Sequence, residues 1–284
     1  MIEIVGQLDV LRARVTAWKQ AGLRVGFVPT MGNLHAGHFA LVELMRRHAD
    51  KVVASVFVNP TQFGPNEDFA RYPRTPDADA NGLEAAGCDA LWLPSVEAMY
   101  PYGADHAVHM HVPGITDTLD GAARPGHFDG VATVVARLFN QVQADVAVFG
   151  RKDYQQLAVI RYLVRDLAFP IEIVAADTLR HSDGLAMSSR NQYLSEQERA
   201  IAPTIHRVLQ GMGDAWQSGT PRHEIEASAD HKLRAAGFVP DYVVLRRPDF
   251  TEPVDGQAGG LVALVAARLG NTRLIDNLEF DAGI

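Results

Sequence analysis

Between residues 52 and 58 the chain runs Val52-Val53-Ala54-Ser55-Val56-Phe57-Val58, apolar but for one serine, and this run sits among helix-forming segments. A strand with water on one face alternates polar and apolar residues, so a strand without alternation needs cover on both faces. The feature predicts a parallel sheet layered between helices.

The surrounding segments keep that rhythm. Gln7–Ala21 reads as an amphipathic helix with Val10, Leu11, Val15 and Trp18 on one stripe and Gly22 as its stop. Arg24–Pro29 reads as a strand and His38–Ala49 as a helix. After a long loop come a helix at Asp77–Ala86, a strand at Ala90–Leu93, a helix at Gly130–Gln143 and a strand at Asp145–Gly150. A helix at Gln155–Leu167 and a strand at Ile171–Ala175 complete the series. Such βαβ alternation predicts an α/β fold with a doubly wound, Rossmann-like parallel sheet. The rhythm changes near Ser182. A long helix is expected over Ser195–Trp216, another over Arg222–Ala236, and short strands at Tyr242–Leu245, Leu261–Ala267 and Arg273–Asn277. The expected division is therefore a Rossmann-like domain over residues 1–185 and a smaller C-terminal α+β domain over 186–284, acting as a lid.

Composition excludes several classes. The formal charge of −8, with no basic tract, argues against a nucleic-acid partner. Cys88 is the only cysteine, so no intrachain disulfide can form; its place just before a strand reads as packing. The longest apolar runs fall far short of a membrane span. Met1-Ile2-Glu3-Ile4 shows no basic segment ahead of an apolar core, so a cytoplasmic location without a signal peptide is expected.

Three clusters fall where such a sheet binds ligands, beyond the carboxyl ends of its strands. The first, Pro29-Thr30-Met31-Gly32-Asn33-Leu34-His35-Ala36-Gly37-His38, joins a strand to a helix. Gly32 and Gly37 have phosphate-loop spacing, but His38-Phe39 stands where Lys-Ser/Thr would be required, so a Walker A reading fails. Two imidazoles at a helix N-terminus remain, a place that favours anions. One isolated histidine would merely cap the helix, and the i, i+3 spacing does not match a helical zinc pair. The second cluster is Gly150-Arg151-Lys152-Asp153-Tyr154-Gln155-Gln156 and the third Met187-Ser188-Ser189-Arg190-Asn191. Either alone would be an ordinary helix end or loop. His106, His109 and His111 read as a solvated edge rather than a metal site.

Together, an HxGH loop, a mid-chain lysine and a late M-S-S-R loop resemble the nucleotidyltransferase superfamily that includes class I aminoacyl-tRNA synthetases. Further blocks, Phe57–Phe63 (F-V-N-P-T-Q-F), Arg71–Thr75 (R-Y-P-R-T), Arg124–Phe128 (R-P-G-H-F), Lys152–Gln156 (K-D-Y-Q-Q), Met187–Leu194 (M-S-S-R-N-Q-Y-L) and Arg273–Asn277 (R-L-I-D-N), resemble the pantothenate synthetase family. The resemblance implies that ATP, with Mg²⁺, drives condensation of pantoate with β-alanine through a pantoyl adenylate, releasing AMP and pyrophosphate, in a homodimer. It implies catalytic roles for His35, His38, Lys152 and Arg190. ATP contacts are implied for Met31, Gly32, Asn33, Leu34, His35, Ala36, Gly37, His38, Gly150, Arg151, Lys152, Asp153, Leu179, Met187, Ser188, Ser189 and Arg190. Gln62, Gln156 and Asn59 would bind pantoate, while Arg124 and His127 would shape the β-alanine or phosphate side; no protein-held metal is implied. Arg151 departs from the family, where an acidic residue is common. Two alternatives stay open: a nucleotidyltransferase acting on a phosphorylated acceptor, and a catalytically silent nucleotide-binding regulator.

Overall fold

The computed structural model describes residues 2–64, 67, 69–256 and 259–282, with side chains followed as far as residue 280 at the C-terminal end. The chain divides into two compact units, Met1–Asp177 and Thr178–Ile284.

The first unit runs β1 (Glu3–Val5), α1 (Leu8–Gln20), β2 (Val25–Thr30), α2 (Ala36–Met45), β3 (Lys51–Val56), α3 (Pro76–Ala85) and β4 (Ala90–Trp92). It continues with α4 (Val96–Met99), α5 (Asp120–Ala123), α6 (His127–Val142), β5 (Val146–Gly150), α7 (Tyr154–Asp166) and β6 (Glu172–Ala176). The six strands form one sheet in the order β1-β4-β3-β2-β5-β6, every pair parallel. Alternate residues of each strand enter opposite cores. Phe27, Val53 and Ala147 pack with α1, α6 and α7, whereas Val28, Val52, Ala54 and Val148 pack with α2 and α3. This is why the third strand carries no polar alternation. Cys88 belongs to the second of these cores, and burial raises its thiol pKa to about 12, so packing accounts for it.

Local chemistry sets the ends of these elements. Gly22 leaves α1 with a φ of 77°, a conformation that needs no Cβ. Pro76 opens α3 at a position whose N–H has no intrahelical partner, followed by Asp77 and Asp79 in the favourable first turn. On α1, Leu11 and Val15 are buried and Trp18 packs against the core, but Val10 is exposed, so the buried stripe is narrower than expected. The three-residue β1 is too short to announce itself in the sequence.

The second unit contains α8 (Glu196–Ile201), α9 (Thr204–Gln217), α10 (Arg222–Ala235) and the strands β7 (Phe238–Arg246), β8 (Gly259–Leu269) and β9 (Thr272–Ala282), in an antiparallel sheet ordered β7-β8-β9. The single helix expected over Ser195–Trp216 is in fact two. Pro203 has no N–H to continue the ladder, and the chain restarts at Thr204. Ser195 and Glu198 close a capping box on α8. Leu209 and Met212 of α9 and Leu233 of α10 form one core with Leu245, Leu261 and Val265 of the sheet. The division between units falls ahead of the expected 185/186 boundary. Arg180 bridges Ala186 and also pairs with Asp276 of β9, so this segment packs with the C-terminal sheet. Among the described residues no helix is long and apolar enough to cross a membrane.

One close approach in the first unit links α6 to the turn after β3. Gly130 of α6 lies against the turn Pro60–Gln62, and a Cβ there would sit 2.4 Å from the Thr61 carbonyl oxygen and 2.7 Å from Gln62 Cα. Both are backbone atoms and cannot rotate away. Gly130→Ala is expected to cost about 1–3 kcal/mol in urea unfolding, the usual range for overpacking. An unchanged unfolding midpoint would show that the turn yields and that the contact imposes nothing.

Candidate active site

The chain order reverses between β2 and β5. From β2 it steps through β3 to β4, whereas β5 leads to β6 on the other side. The pairs Gly26↔Val146 and Phe27↔Ala147 hold these two strands side by side, so the loops after them open at the same end. A crevice between diverging connections is where open α/β sheets receive ligands.

The loop after β2 is wound tightly. Gly32 and Asn33 take φ values of 85° and 51°, turning two successive backbone N–H groups inward. The carboxylate of Asp79 on α3 accepts the Asn33 and Leu34 N–H groups at 3.0 and 2.8 Å and the Thr75 hydroxyl at 3.1 Å. His35 then caps α2. Its Nδ1 accepts from Gly37 N–H at 3.1 Å, and His38 Nδ1 accepts from His35 N–H at 3.3 Å, with the rings 4.2 Å apart. A backbone N–H can only donate, so both Nδ1 atoms must be unprotonated. In the neutral rings the proton lies on Nε2, so each histidine carries an Nε2–H donor. Burial lowers the His38 pKa to about 3. His35 and Lys152 push the same way, and Asp153 partly opposes them. His38 is therefore a neutral donor near pH 7, and its field partners place the Lys152–Asp153 turn beside it.

The loop after β5 carries that turn. Lys152 Nζ lies 3.8 Å from Asp153 Oδ1, and Asp153 stands at the N-cap of α7 without a side-chain cap bond. Arg151 donates its backbone N–H to Ala176 O and sets its guanidinium 3.3 Å from the exposed Asp177 carboxylate, toward the end of β6. Of the next two glutamines, Gln156 is half-buried in the first turn of α7. Gln155 is buried and structural: its amide donates to Ile115 O and Thr118 O and accepts from Asp120 N–H.

After β3, the turn Pro60–Gln62 brings the amides of Asn59 and Gln62 together, 1% and 8% exposed. Asn59 Nδ2 donates to Gln62 Oε1 at 3.1 Å, and Gln62 Nε2 reaches Met31 Sδ at 3.0 Å, joining this turn to the HxGH loop. His127 Nδ1 donates to the Gln62 carbonyl at 2.8 Å, and burial lowers its pKa to about 4 with help from Arg124. Arg124 is itself held by Glu67 through two bonds of 2.7 and 2.6 Å. Burial pushes the Glu67 carboxyl up, but the hydrogen bond and charge of Arg124 outweigh it and the net pKa falls. In the segment expected to carry a histidine edge there is no strand. His111 bonds Asp129 at 2.9 Å in the open, which raises its pKa.

In the second unit the M-S-S-R segment is a defined turn. Met187 N–H donates to the carbonyl of Leu179, whose side chain is exposed. Ser188 Oγ accepts from Arg190 N–H, opening a short 3₁₀ turn over Ser189–Tyr193. Asn191 Nδ2 donates to Ala186 O. Behind this turn Arg180 makes bonds of 2.6 and 2.9 Å to the buried Asp276 and bonds the carbonyls of Gly184 and Asn277. The R-L-I-D-N block is thus a support for the turn. Sequence reasoning missed Asp79, Gln155 and this pair as determinants, because each acts on a loop distant in the chain.

Fold and loops together define an α/β enzyme of the HxGH kind. The chain belongs to the pantoate-beta-alanine ligase family, whose model matches residues 3–279. The pantothenate synthetase of Xanthomonas axonopodis pv. citri (strain 306) is 66% identical over 280 residues, covering 99% of this chain and the whole of the relative. That of Stenotrophomonas maltophilia (strain K279a) is 66% identical over 281 residues with the same coverage. Among solved structures, pantothenate synthetase from Thermus thermophilus aligns with a TM-score of 0.89 at 48% identity, covering 98% of this chain and 99% of that one. Pantoate-beta-alanine ligase from Francisella tularensis, complexed with beta-gamma ATP and beta-alanine, aligns with a TM-score of 0.82 at 31% identity, covering 98% and 97%.

The buried histidines set the sign of a pH effect. Above the unfolded value of about 6.5 both states are neutral and stability is intact. As pH falls from there toward about 3 for His38 and about 4 for His127, the unfolded chain takes up protons that the folded rings refuse, and stability is lost. Urea unfolding at pH 7.5 and 5 is expected to show this loss, and His127→Gln to lessen it by up to about 1.4 kcal/mol per pH unit. Nitrogen NMR of His38 is expected to show the neutral Nε2–H form throughout. A His38 ring titrating near 6.5 would contradict the assignment.

Proposed function

We propose that the chain joins pantoate to β-alanine, cleaving ATP to AMP and pyrophosphate, through a pantoyl adenylate. The observation that carries this is the contact of Gln62 Nε2 with Met31 Sδ, which puts an amide suited to an acid against the loop suited to phosphate. In the first step a pantoate carboxylate oxygen attacks the α-phosphorus, and the bond to the departing pyrophosphate breaks. In the second the β-alanine amine, having given up a proton, attacks the acyl carbon and AMP leaves.

Neither step needs a nucleophile from the protein. His35 and His38 would donate Nε2–H bonds to phosphate oxygens, and Lys152 would supply the positive charge; fixed donors of this kind stabilise charge that grows in the transition state. A neutral ring of depressed pKa fits His38 as a stabiliser better than as an acid. By resemblance Met31–His38, Gly150–Asp153, Leu179, Met187, Ser188, Ser189 and Arg190 would bind the nucleotide. Gln62 and Gln156 bind pantoate. Asn59 would then act beside Gln62, since both its amide protons are used within the protein, on Gln62 Oε1 and Gly130 O. Among the described residues no group of three or more His, Cys, Asp or Glu side chains could hold a metal ion. Mg²⁺ would enter on the triphosphate oxygens, as part of the nucleotide substrate. A cytoplasmic homodimer accords with the family resemblance; sedimentation equilibrium reads the association state.

The order of chemistry is testable. With pantoate and Mg²⁺ but no β-alanine, the protein is expected to exchange labelled pyrophosphate into ATP, because the first step is complete without the amine. Exchange without any acid would reveal an adenylated protein. Exchange that requires β-alanine would rule out a separate adenylate. Gln62→Ala is expected to raise the Kd for pantoate at least tenfold while leaving ATP binding within about twofold, since a site left short of a hydrogen bond discriminates strongly. Equal losses in calorimetric titrations of the two ligands would assign Gln62 to shaping the loop instead.

A further inference from the structure

The Tyr100 phenol is a buried polar group that the proposed reaction does not use. Its residue is 2% exposed, and it is fixed from several sides. Tyr100 ends α4, and α6 clamps that end: Arg137 Nη1 donates to Met99 O and Gln141 Nε2 donates to Ala98 O. Trp92 Nε1 in turn donates to Gln141 Oε1. The Arg137 guanidinium lies 5.0 Å from the centre of the phenol ring. A side chain held this firmly has little freedom to turn its hydroxyl elsewhere.

Backbone groups set the direction of the bonds around the phenol. Asn59 Oδ1 faces the Thr61 N–H, which can only donate, and Asn59 Nδ2 faces the Gly130 carbonyl, which can only accept. The asparagine amide therefore has one orientation. Its oxygen accepts the Tyr100 O–H at 2.6 Å and also lies 3.1 Å from the Thr61 hydroxyl, which stands 3.3 Å from the phenol oxygen. Its remaining amide proton goes to Gln62 Oε1. With that oxygen engaged, Gln62 must turn its own N–H groups the other way, where Met31 Sδ is a weak acceptor that a substrate oxygen can replace.

We propose that Tyr100 is a positioning residue for the acid substrate: its O–H, strengthened by the cation over its ring, fixes Asn59 and through it holds Gln62 as a donor. Donors that share a chain of hydrogen bonds polarise one another in the same direction. The arrangement matches a ligand that offers only acceptors at this point, a carboxylate or a hydroxyl oxygen. Burial keeps the phenol protonated, as the role requires, although Thr61 and Arg137 pull its pKa the other way. The proposal rests on the assignment of Gln62 to pantoate.

The test is a double-mutant cycle of Tyr100→Phe and Gln62→Ala in the full chain, read as KM for pantoate and for ATP, kcat and melting midpoint. Tyr100→Phe is expected to raise the pantoate KM about three- to tenfold, the worth of one hydrogen bond, and to leave the ATP KM within about twofold. In the Gln62→Ala background the same change is expected to have almost no further effect. Replacing Tyr100 by 3-fluorotyrosine, which keeps the O–H, is expected to restore the pantoate KM. A normal pantoate KM in Tyr100→Phe, equal losses for both substrates, or full additivity with Gln62→Ala would overturn the relay and leave the role of Gln62 standing. If Gln62→Ala alone leaves the pantoate KM unchanged, the assignment of Gln62 fails first, and the relay with it. Should Tyr100→Phe not fold, Arg137→Met removes the cation while keeping the phenol, and is expected to raise the pantoate KM alone by about twofold; no change would overturn the proposal.

Discussion

The pairing of β2 with β5 is the contact on which the first unit's chemistry depends. It is the point where the chain stops adding strands on one side and begins on the other. Two strand-to-helix turns that are distant in sequence become neighbours there without any loop having to cross. The register of two residue pairs decides that Lys152 and Asp153 act on His38 at all. The strand run that reads as apolar in the sequence belongs to the same arrangement, because the crossovers of a parallel sheet cover both its faces and leave the loops after its strands at one edge.

A second constraint concerns direction rather than position. His35, His38 and Asn59 each contact a backbone group that can play only one role, donor or acceptor. The side chain must take the complementary role there, which leaves Nε2–H as the donor of each histidine and directs the Asn59 amide to Gln62. Such assignment costs no extra charge. That suits a chain of net charge −8, which has to attract a polyanion although its sequence holds no basic tract. Asp79 shows the same economy: a carboxylate under the HxGH loop is unfavourable toward phosphate at long range. By taking the N–H groups of Asn33 and Leu34 it nevertheless fixes the turn that leads into His35.

Most of the candidate loops are legible in the sequence, and most of their support is not. The HxGH loop, the Lys152 turn and the M-S-S-R segment could be read because each lies within one short stretch whose glycines and polar residues break a hydrophobic period. Asp79 lies 46 positions from Asn33, Tyr100 41 from Asn59, Gly130 71 from Asn59, and Asp276 96 from Arg180. No local pattern marks such residues, since each looks like an ordinary member of its own helix or strand. Pro203 is the opposite case. It is visible locally, but the apolar spacing of Ile205, Val208, Leu209 and Met212 reads so strongly as helix that the break just before it is easily passed over.

The proposed acid-binding end raises a different physical question: why two amides rather than an arginine. A carboxylate that must attack phosphorus loses nucleophilicity when a cation sits on its oxygens. Amide N–H groups orient the acid while leaving most of its charge on the attacking atom. The guanidinium of Arg124 accords with this, because it is already committed to Glu67 by two short bonds. Positive charge is concentrated instead at Lys152, beside the histidines, where negative charge would gather on the phosphates during transfer. On the proposed reading the two ends of the site thus differ in how they treat an anion: one would hold it without drawing off its electrons, the other would draw them off.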